Sequence, residues 1–452
     1  MSDVVTPVPS DVVGLSPSIC LGFGVGTVGV SIMLNTVTAY FPAFMSTVLG
    51  QSPVIAGALL MGSKLFDAVA DILIGRLSDR TRSRWGRRRP YLLVGAFVSA
   101  VAFLLLFAPP PMTDRVLVWY MAAALIIYSA GYSLFNVPYM TMPSEITQGF
   151  HERSRLLSYR TVFVSIGQLI GLAVTAALIE RGGGGAAGYR TMGLVMMLII
   201  FASMFATFLG TATAARVEPR DAPQLAGSQL MLLARNRPFM LLAGAKVFQF
   251  LAFASSATTG LLFLLNVLHV GYGGQIQFAV SLNLALAGSM PVWVRIGQRI
   301  GKRNTYLLGV TLYCAAALSW LVADTSITRF GICLRGVVAG AGSGALILMS
   351  ISMLADTMAY DRALTGVHRE GLLSGIIAVI EKTAFALGVA VVGLLLELAH
   401  YVPSYGGALV AQPVSAVRAL YLGYALIPML MFAVNGCFLY FYALDQRQLN
   451  HG

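Results

Sequence analysis

Twelve long apolar runs alternate with shorter polar stretches along the chain. Each run has about 20 residues or more, the length at which an α-helix crosses a hydrocarbon core about 30 Å thick. The ten-residue alternating segments of a membrane β-barrel do not occur. The pattern therefore predicts an all-α polytopic membrane protein with twelve transmembrane helices, at about residues 19–45, 54–77, 91–111, 115–138, 156–180, 190–213, 239–267, 274–294, 304–323, 328–352, 372–399 and 416–443.

The chain also repeats itself. GRRRPYLLVG at 86–95 reappears as GKRNTYLLGV at 301–310, and each copy follows the second predicted span of six and opens the third. This layout of two six-helix halves resembles the major facilitator superfamily, whose members hold substrate between the halves at the bilayer midplane. The predicted divisions are a cytoplasmic tail at 1–18, an N-terminal half at 19–213, a cytoplasmic linker at 214–238, a C-terminal half at 239–443 and a cytoplasmic tail at 444–452.

Composition and charge agree with a membrane protein. Of the 452 residues, 57% are hydrophobic and only 11% are charged, against about 25% charged in soluble domains. A net charge of +12 would indicate nucleic-acid binding in a soluble protein. Here most Lys and Arg residues fall in loops on one predicted side, so the positive-inside rule accounts for the charge without nucleic acid. We predict a multi-pass protein of the cell (inner) membrane with both termini in the cytoplasm.

The sequence contains no catalytic or metal-binding constellation. Its five His residues form no metal or nucleophile motif, and its four Cys residues lie in apolar segments without metal or redox spacing. The first 18 residues carry no Lys or Arg, which indicates an uncleaved first span rather than a signal peptide. We therefore predict that the protein is not an enzyme and has no cofactor.

Three charged residues lie within the second predicted span, in the segment KLFDAVAD at 64–71. An unpaired Asp or Lys near the centre of a transmembrane helix costs about 2.5–3.5 kcal/mol. The spacing of Lys64, Asp67 and Asp71 places them on one helical face, which favours the bundle interior over lipid. Two carboxylates one turn apart in a low dielectric hold a proton or recruit a cation such as Na⁺. The alternatives are a static ion-pair network and, for Asp71, partial hydration.

Other polar residues in the predicted spans are candidates for a substrate cavity. Lys382, beside Glu381, lies deep in the eleventh span, where its side chain cannot easily reach water. Arg160 lies near the start of the fifth span, where an interfacial position is an equal alternative. Asn136 and Pro138 predict an amide beside a broken helix, whose backbone groups can bind ions or substrate. A simple helix end is the other interpretation.

Four motifs are similar to segments of one transporter family. They are KLFDAVADILIGRLSDRTRSRWGRRRPYLL, NVPYMTMPSEIT with ERSRLLSYR, MLADTMAYDRALTGVHREG and IEKTAFALG. The chain resembles the glycoside–pentoside–hexuronide:cation symporters, the family of melibiose permease. The resemblance implies a cation site formed by Asp67, Asp71, Ser133 and Asn136. The implied substrate and charge network contains Lys64, Arg160, Glu381 and Lys382.

Two positions depart from melibiose permease. Asn136 stands where that protein has an aspartate that serves both cation and sugar, and Gly29 stands where it has an aspartate that holds the galactoside. These departures disfavour melibiose as the substrate and weaken the case for Na⁺ relative to H⁺. The family also contains lysolipid transporters, so a lysolipid or another amphiphile is the alternative substrate.

The resemblance and the residues together predict a cation-coupled symporter that imports a glycoside, an oligosaccharide or a sugar acid by alternating access. The coupling ion is Na⁺ or H⁺, the partners are a small-molecule substrate and the lipid bilayer, and the protein is expected to work as a monomer. Ion pairs on the cytoplasmic side are expected to latch the halves together and to break on opening. The predicted gate residues are Asp79, Arg84, Arg87, Arg88, Asp356, Asp361 and Arg369.

Overall fold

Twelve long helices form the part of the chain that the computed structural model describes, which comprises residues 16–147, 150–213, 236–366, 369–442 and 444. The N-terminal half contains α1 (Pro17–Thr47), α2 (Pro53–Arg80), α3 (Arg89–Phe107), α4 (Asp114–Ile146), α5 (Phe150–Leu169, a π-helical turn at Ile170–Val174, then Thr175–Arg181) and α6 (Ala186–Gly210). The C-terminal half contains α7 (Arg237–Asn266), α8 (Gly271–Ile300), α9 (Lys302–Ser319, then a 3₁₀ turn at Trp320–Val322), α10 (Arg329–Thr365), α11 (Glu370–Leu398) and α12 (Val414–Tyr421, a π-helical turn at Leu422–Leu426, then Ile427–Tyr440). Most of the predicted tails and linker, at 1–15, 214–235 and 445–452, lies outside the described residues.

The predicted twelve-helix fold is confirmed, with one helix for each predicted span. Eleven of the helices are long and apolar enough to cross a membrane. The remaining helix, α2, carries Lys64, Asp67 and Asp71. It is 28 residues long and packs against α4 and α11, so it runs through the bundle with the others. Its charges are therefore enclosed by protein, as membrane-embedded charges usually are.

The helices extend further than the apolar runs indicated. α10 continues to Thr365 and α4 to Ile146, because a helix persists in water beyond the hydrocarbon while hydropathy registers only the apolar part. The predicted break at Pro138 is wrong, since Pro138 and Pro143 both lie inside α4. Proline is tolerated within membrane helices because neighbouring groups can satisfy the backbone carbonyl that it leaves unpaired.

The two copies of the sequence repeat have the same local structure. Gly86 has a φ of 90° and Gly301 a φ of 82°, values that favour glycine because it has no Cβ. Gly86 precedes α3 and Gly301 precedes α9, the third helix of each half. Tyr91 and Tyr306 follow at equivalent positions in these helices. The internal repeat therefore corresponds to a repeated turn and helix start.

The two halves meet through the helix pairs α1–α7, α2–α11 and α5–α8. Near the α1–α2 loop, a Cβ built on Gly57 of α2 would lie 3.1 Å from the Val389 carbonyl oxygen and 3.5 Å from Gly393 of α11. Toward the other end of α11, Cβ atoms built on Gly371 and Gly375 would find nothing within 4 Å. The halves are therefore packed together at the α1–α2 end and separated toward the α2–α3 end.

Candidate functional site

A cavity of about 580 Å³ lies between the two halves. Residues of α1, α2, α4 and α5 line one wall, and residues of α7 to α12 line the other. This is the position at which sequence analysis placed the substrate. The polar residues at its surface include Asn35, Thr38, Lys64, Asp67, Gln168, Gln275, Glu381 and Lys382.

Asp67 lies on the cavity wall and is deeply buried, with 1% of its surface exposed. Its Oδ2 accepts a hydrogen bond from Lys64 Nζ at 3.2 Å, one helical turn away. Its Oδ1 is buried and has no hydrogen-bond partner among the described residues. Leaving a buried polar atom unpaired costs about 1–3 kcal/mol, and more for a charged group. The Oδ1 atom is therefore available to a proton or a small cation.

Asp71 lies one turn further along α2 and contacts both halves. Its Oδ1 accepts from the Ser133 hydroxyl of α4 at 2.6 Å, and its Oδ2 pairs with Lys382 of α11. Both side chains of the ion pair are about a quarter exposed, at 25% for Asp71 and 29% for Lys382. This ion pair joins α2 to α11 beside the cavity. Forming or breaking it therefore changes one contact between the two halves.

A third ion pair completes the charged cluster. Lys246 Nζ of α7 donates to Glu381 Oε1 of α11 at 2.8 Å. Lys246 was not among the predicted site residues. The cluster therefore contains three lysines and three carboxylates, and each lysine has one carboxylate partner. Arg160 lies on α5, and its buried Nε has no hydrogen-bond partner among the described residues.

Two positions taken from the family resemblance fit the structure less directly. Asn136 is half-buried on α4, and the described hydrogen bonds join Ser133 rather than Asn136 to a carboxylate. Gly29 does not face the cavity, because a Cβ built there would lie 2.7 Å from Ser203 Oγ of α6. The side chain of an aspartate at this position would therefore meet α6 rather than the cavity. On the same helix, Asn35 faces the cavity instead.

Main-chain hydrogen bonds close the cavity at the α1–α2 end. The amides of Ser404, Gly406 and Gly407 donate to the carbonyls of Ser46, Val48 and Thr47 at 2.8, 2.9 and 2.9 Å. The ring of Tyr405 lies against Gly50, where any Cβ would overlap it. A further cross-half contact joins the hydroxyls of Tyr272 and Tyr189 at 3.2 Å. Sequence analysis missed this closure because the loop after α11 carries no charge pattern.

The predicted gate residues form ion pairs at the α2–α3 end, but each of these pairs lies within one half. In the N-terminal half, Glu145 Oε1 accepts from Arg87 Nη2 at 2.8 Å and from Arg88 Nε at 2.9 Å. Arg88 also pairs with Asp79 at 2.5 Å, and the Arg84 guanidinium lies 5.1 Å from the centre of the Trp85 ring. In this conformation these ion pairs therefore do not join the two halves.

In the C-terminal half, too, the ion pairs of the predicted gate residues join residues of the same half. Asp356 pairs with Lys302 at 2.6 Å, and Asp361 pairs with Arg369 at 2.5 Å. Asn236 Nδ2 also donates to Asp361 Oδ1 at 2.9 Å. These contacts brace α7, α9, α10 and α11 against one another inside the half.

Twelve membrane helices in two repeated halves, with a charged cavity between them, define a secondary transporter of the major facilitator superfamily. Residues 22–446 match the sequence profile of the MFS/sugar transport protein family. The chain therefore belongs to this family, that of the glycoside–pentoside–hexuronide:cation symporters, and it is a transporter rather than an enzyme.

Two curated relatives are similar in sequence to this protein over most of the chain. The chain is 26% identical to the isoprimeverose transporter of Lactiplantibacillus pentosus, with 92% of this chain and 86% of that protein covered. It is also 26% identical to a glucuronide carrier protein homolog of Escherichia coli, with 95% and 92% covered. These likenesses support a membrane symporter for a sugar-type small molecule.

Solved structures show the same fold at low sequence identity. A nucleoside transporter superposes with a TM-score of 0.69 at 12% identity, covering 93% of this chain and 99% of that chain. A bacterial homologue of the human lysosomal transporter Spinster, in an inward-facing and unoccupied conformation, superposes with a TM-score of 0.66 at 14% identity, covering 95% and 96%. At such identities the likeness concerns the fold alone.

Proposed function

We propose that the protein is a cation-coupled symporter that imports a glycoside, an oligosaccharide or a sugar acid by alternating access. The observation that carries this proposal is the buried Asp67 carboxylate on the cavity wall, whose Oδ1 has no partner among the described residues. A buried carboxylate in a membrane helix is costly, and ion paths are where such groups usually occur. Binding of Na⁺ or H⁺ at Asp67 would offset this cost.

Asp71 links cation binding to the contact between the halves. Its pairing with Lys382 joins α2 to α11, while the Ser133 hydroxyl holds its other oxygen. A cation that enters between Asp67 and Asp71 competes with Lys382 for Asp71. Loss of that ion pair would change how firmly the two halves are held, which is the coupling that a symporter requires.

We place the α2–α3 end of the molecule in the cytoplasm, because its loops carry most of the basic residues. In this orientation the closed α1–α2 end faces outward, and the structure corresponds to an inward-open state. Both termini then lie in the cytoplasm. Coupling to one cation at a membrane potential of 100 mV supplies about 2.3 kcal/mol, enough for roughly 50-fold accumulation of substrate.

Reconstituted transport tests the proposal directly. Purified protein in proteoliposomes would be offered labelled glycosides, pentosides, hexuronides and a lysophospholipid, each with a Na⁺ gradient, a pH gradient or neither. Gradient-driven uptake of one sugar class would support the proposal and identify the cation. Movement of the lysophospholipid without sugar uptake would favour the alternative substrate and overturn this one.

The cation site has its own test. Asp67→Asn removes the negative charge while keeping the side-chain size, so concentrative uptake should be lost while downhill exchange of substrate persists. Asp324→Asn is the matched control, because Asp324 is an exposed loop carboxylate outside the cavity and should leave uptake unchanged. Accumulation at the normal level by Asp67→Asn would exclude Asp67 as the coupling site.

A further inference from the structure

The two walls of the cavity differ in chemistry. The wall from the N-terminal half carries hydrogen-bonding and charged groups on α1, α2 and α5, namely Asn35, Thr38, Lys64, Asp67 and Gln168. The wall from the C-terminal half carries aromatic rings on α7, α8, α9 and α12, namely Phe250, Phe253, Phe278, Tyr313, Trp320 and Tyr424. Gln275, Glu381 and Lys382 also lie on the C-terminal wall, so the aromatic rings form part of that wall rather than all of it. A ligand between the walls therefore meets polar groups on both sides and aromatic rings mainly on the C-terminal side.

The aromatic residues form continuous patches rather than isolated contacts. Ring centres of Phe250 and Phe253 lie 6.1 Å apart, and those of Phe253 and Tyr313 lie 6.0 Å apart. The ring centre of Trp320 lies 5.7 Å from that of Phe278 and 5.3 Å from that of Tyr424 on α12. Phe250, Phe253, Phe278 and Tyr313 are only half-buried, so ring surface remains available to a ligand.

The phenylalanine rings of this wall offer apolar surface, and the Tyr313 hydroxyl already reaches the Ser256 hydroxyl at 3.4 Å. The polar groups of the same wall lie beside the rings, at Gln275, Glu381 and Lys382. A sugar held by the polar groups of the cavity would leave ring surface uncovered. Cavities of about 300–1,000 Å³ accept drug-sized ligands, and the 580 Å³ measured here has room for a second ring beside a sugar.

We propose that the substrate is a glycoside with an aromatic aglycone, an inference that rests on the proposed sugar transport. The sugar hydroxyls bind the polar wall near Asn35 and Gln168, and the aglycone ring packs on the aromatic wall near Phe250 and Phe278. Offset or edge-to-face packing of this kind adds to the gain from burying apolar surface. A phenyl glycoside should therefore bind about tenfold more tightly than the methyl glycoside of the same sugar.

The experiment compares matched pairs of ligands on the full-length protein in detergent. Methyl and phenyl glycosides of glucose, galactose, xylose and glucuronic acid would be titrated by calorimetry, with lysophospholipid as a further ligand. At least one phenyl glycoside should bind about tenfold more tightly than its methyl partner. Phe278→Leu and Phe250→Leu should each reduce that ratio to threefold or less, with methyl-glycoside affinity unchanged. Phe201→Leu, a ring on α6 outside the cavity, is the matched control and should keep the full ratio.

Other outcomes overturn the inference and separate it from the proposed function. Equal affinity for phenyl and methyl partners would mean that the aromatic wall stacks on the sugar itself, and would leave sugar symport intact. Loss of methyl-glycoside binding in Phe278→Leu would point to the same conclusion. Absence of binding by every glycoside in the panel, or tighter binding of lysophospholipid, would overturn both the aryl glycoside and the sugar substrate.

Discussion

The two ends of the molecule hold the two halves in opposite ways. At the α1–α2 end, main-chain hydrogen bonds cross from Ser404, Gly406 and Gly407 to the C-terminal end of α1. At the α2–α3 end, the ion pairs of Glu145 and Asp361 each remain within one half. The first arrangement depends on close backbone approach, while the second depends on charged side chains that can exchange partners. The same pair of helices, α2 and α11, is packed at one end and open at the other.

This difference indicates how the halves can move. Partly exposed charged side chains, such as those of Lys302 and Asp356, can pair within a half in one state and across the halves in another at small cost. The main-chain hydrogen bonds at the α1–α2 end allow no such exchange of partners, and they must be either made or broken. The Asp71–Lys382 ion pair lies between the two ends. We therefore expect the formation of this ion pair to depend on which end is closed.

The largest predicted effect comes from breaking the closed end. Gly50 has a φ of 65° and contacts the Tyr405 ring, so Gly50→Val introduces both backbone strain and an overlap. We expect uptake to fall at least tenfold, because the α1–α2 end can no longer close. A membrane-impermeant thiol reagent added from outside should label Thr38→Cys in the cavity faster in this background.

Two further variants separate a blocked closure from misfolding. Gly62→Ala on α2 is the control, since a Cβ there finds nothing within 4 Å, and it should transport normally. Adding Tyr405→Ala to Gly50→Val removes the overlapping ring and should restore part of the uptake. Normal transport by Gly50→Val alone would show that this contact is not needed for closure.

The second effect concerns stability at the open end. Arg369→Met leaves Asp361 buried, at 1% exposure of its side chain, with the Arg369 side chain itself at 4%. Removing one partner of a buried ion pair costs about 3–5 kcal/mol, which corresponds to a fall of roughly 10 °C in melting temperature in detergent. Arg362→Met nearby, an exposed residue of α10, should melt as the unmodified protein does. An unchanged melting temperature for Arg369→Met would contradict a bracing role.

Much of this architecture could be predicted from the sequence, because hydropathy, charge asymmetry and internal repetition are local properties. The spacing of Lys64, Asp67 and Asp71 on α2 indicated their shared face, and the structure places Asp67 on the cavity wall. The partner of Asp71 could not be predicted in the same way. Lys382 lies 311 positions away in sequence, and only the packing of α2 on α11 brings the two together.

The predictions that the structure does not bear out share a physical cause. Proline predicted a break at Pro138, but α4 continues through it, as membrane helices packed in a bundle can. Gly29 was aligned with a sugar-binding position, although which face of α1 meets the cavity depends on how α1 packs against α6. The aromatic wall was missed for a similar reason. Its rings come from four helices, and intramembrane aromatics show no sequence pattern that separates cavity from core.

The smallest predicted effect tests whether the gate residues change partners. Asp356 and Lys302 are 26% and 35% exposed, and an ion pair of this exposure contributes about 0–1 kcal/mol. Asp356→Asn should therefore shift the melting temperature by only a few degrees, since it removes one solvated contact within the C-terminal half. Its effect on uptake decides the role of the residue: unchanged uptake would mean that Asp356 serves only within its half. A tenfold loss at unchanged stability would mean that Asp356 pairs across the halves when the α2–α3 end closes, as a latch must.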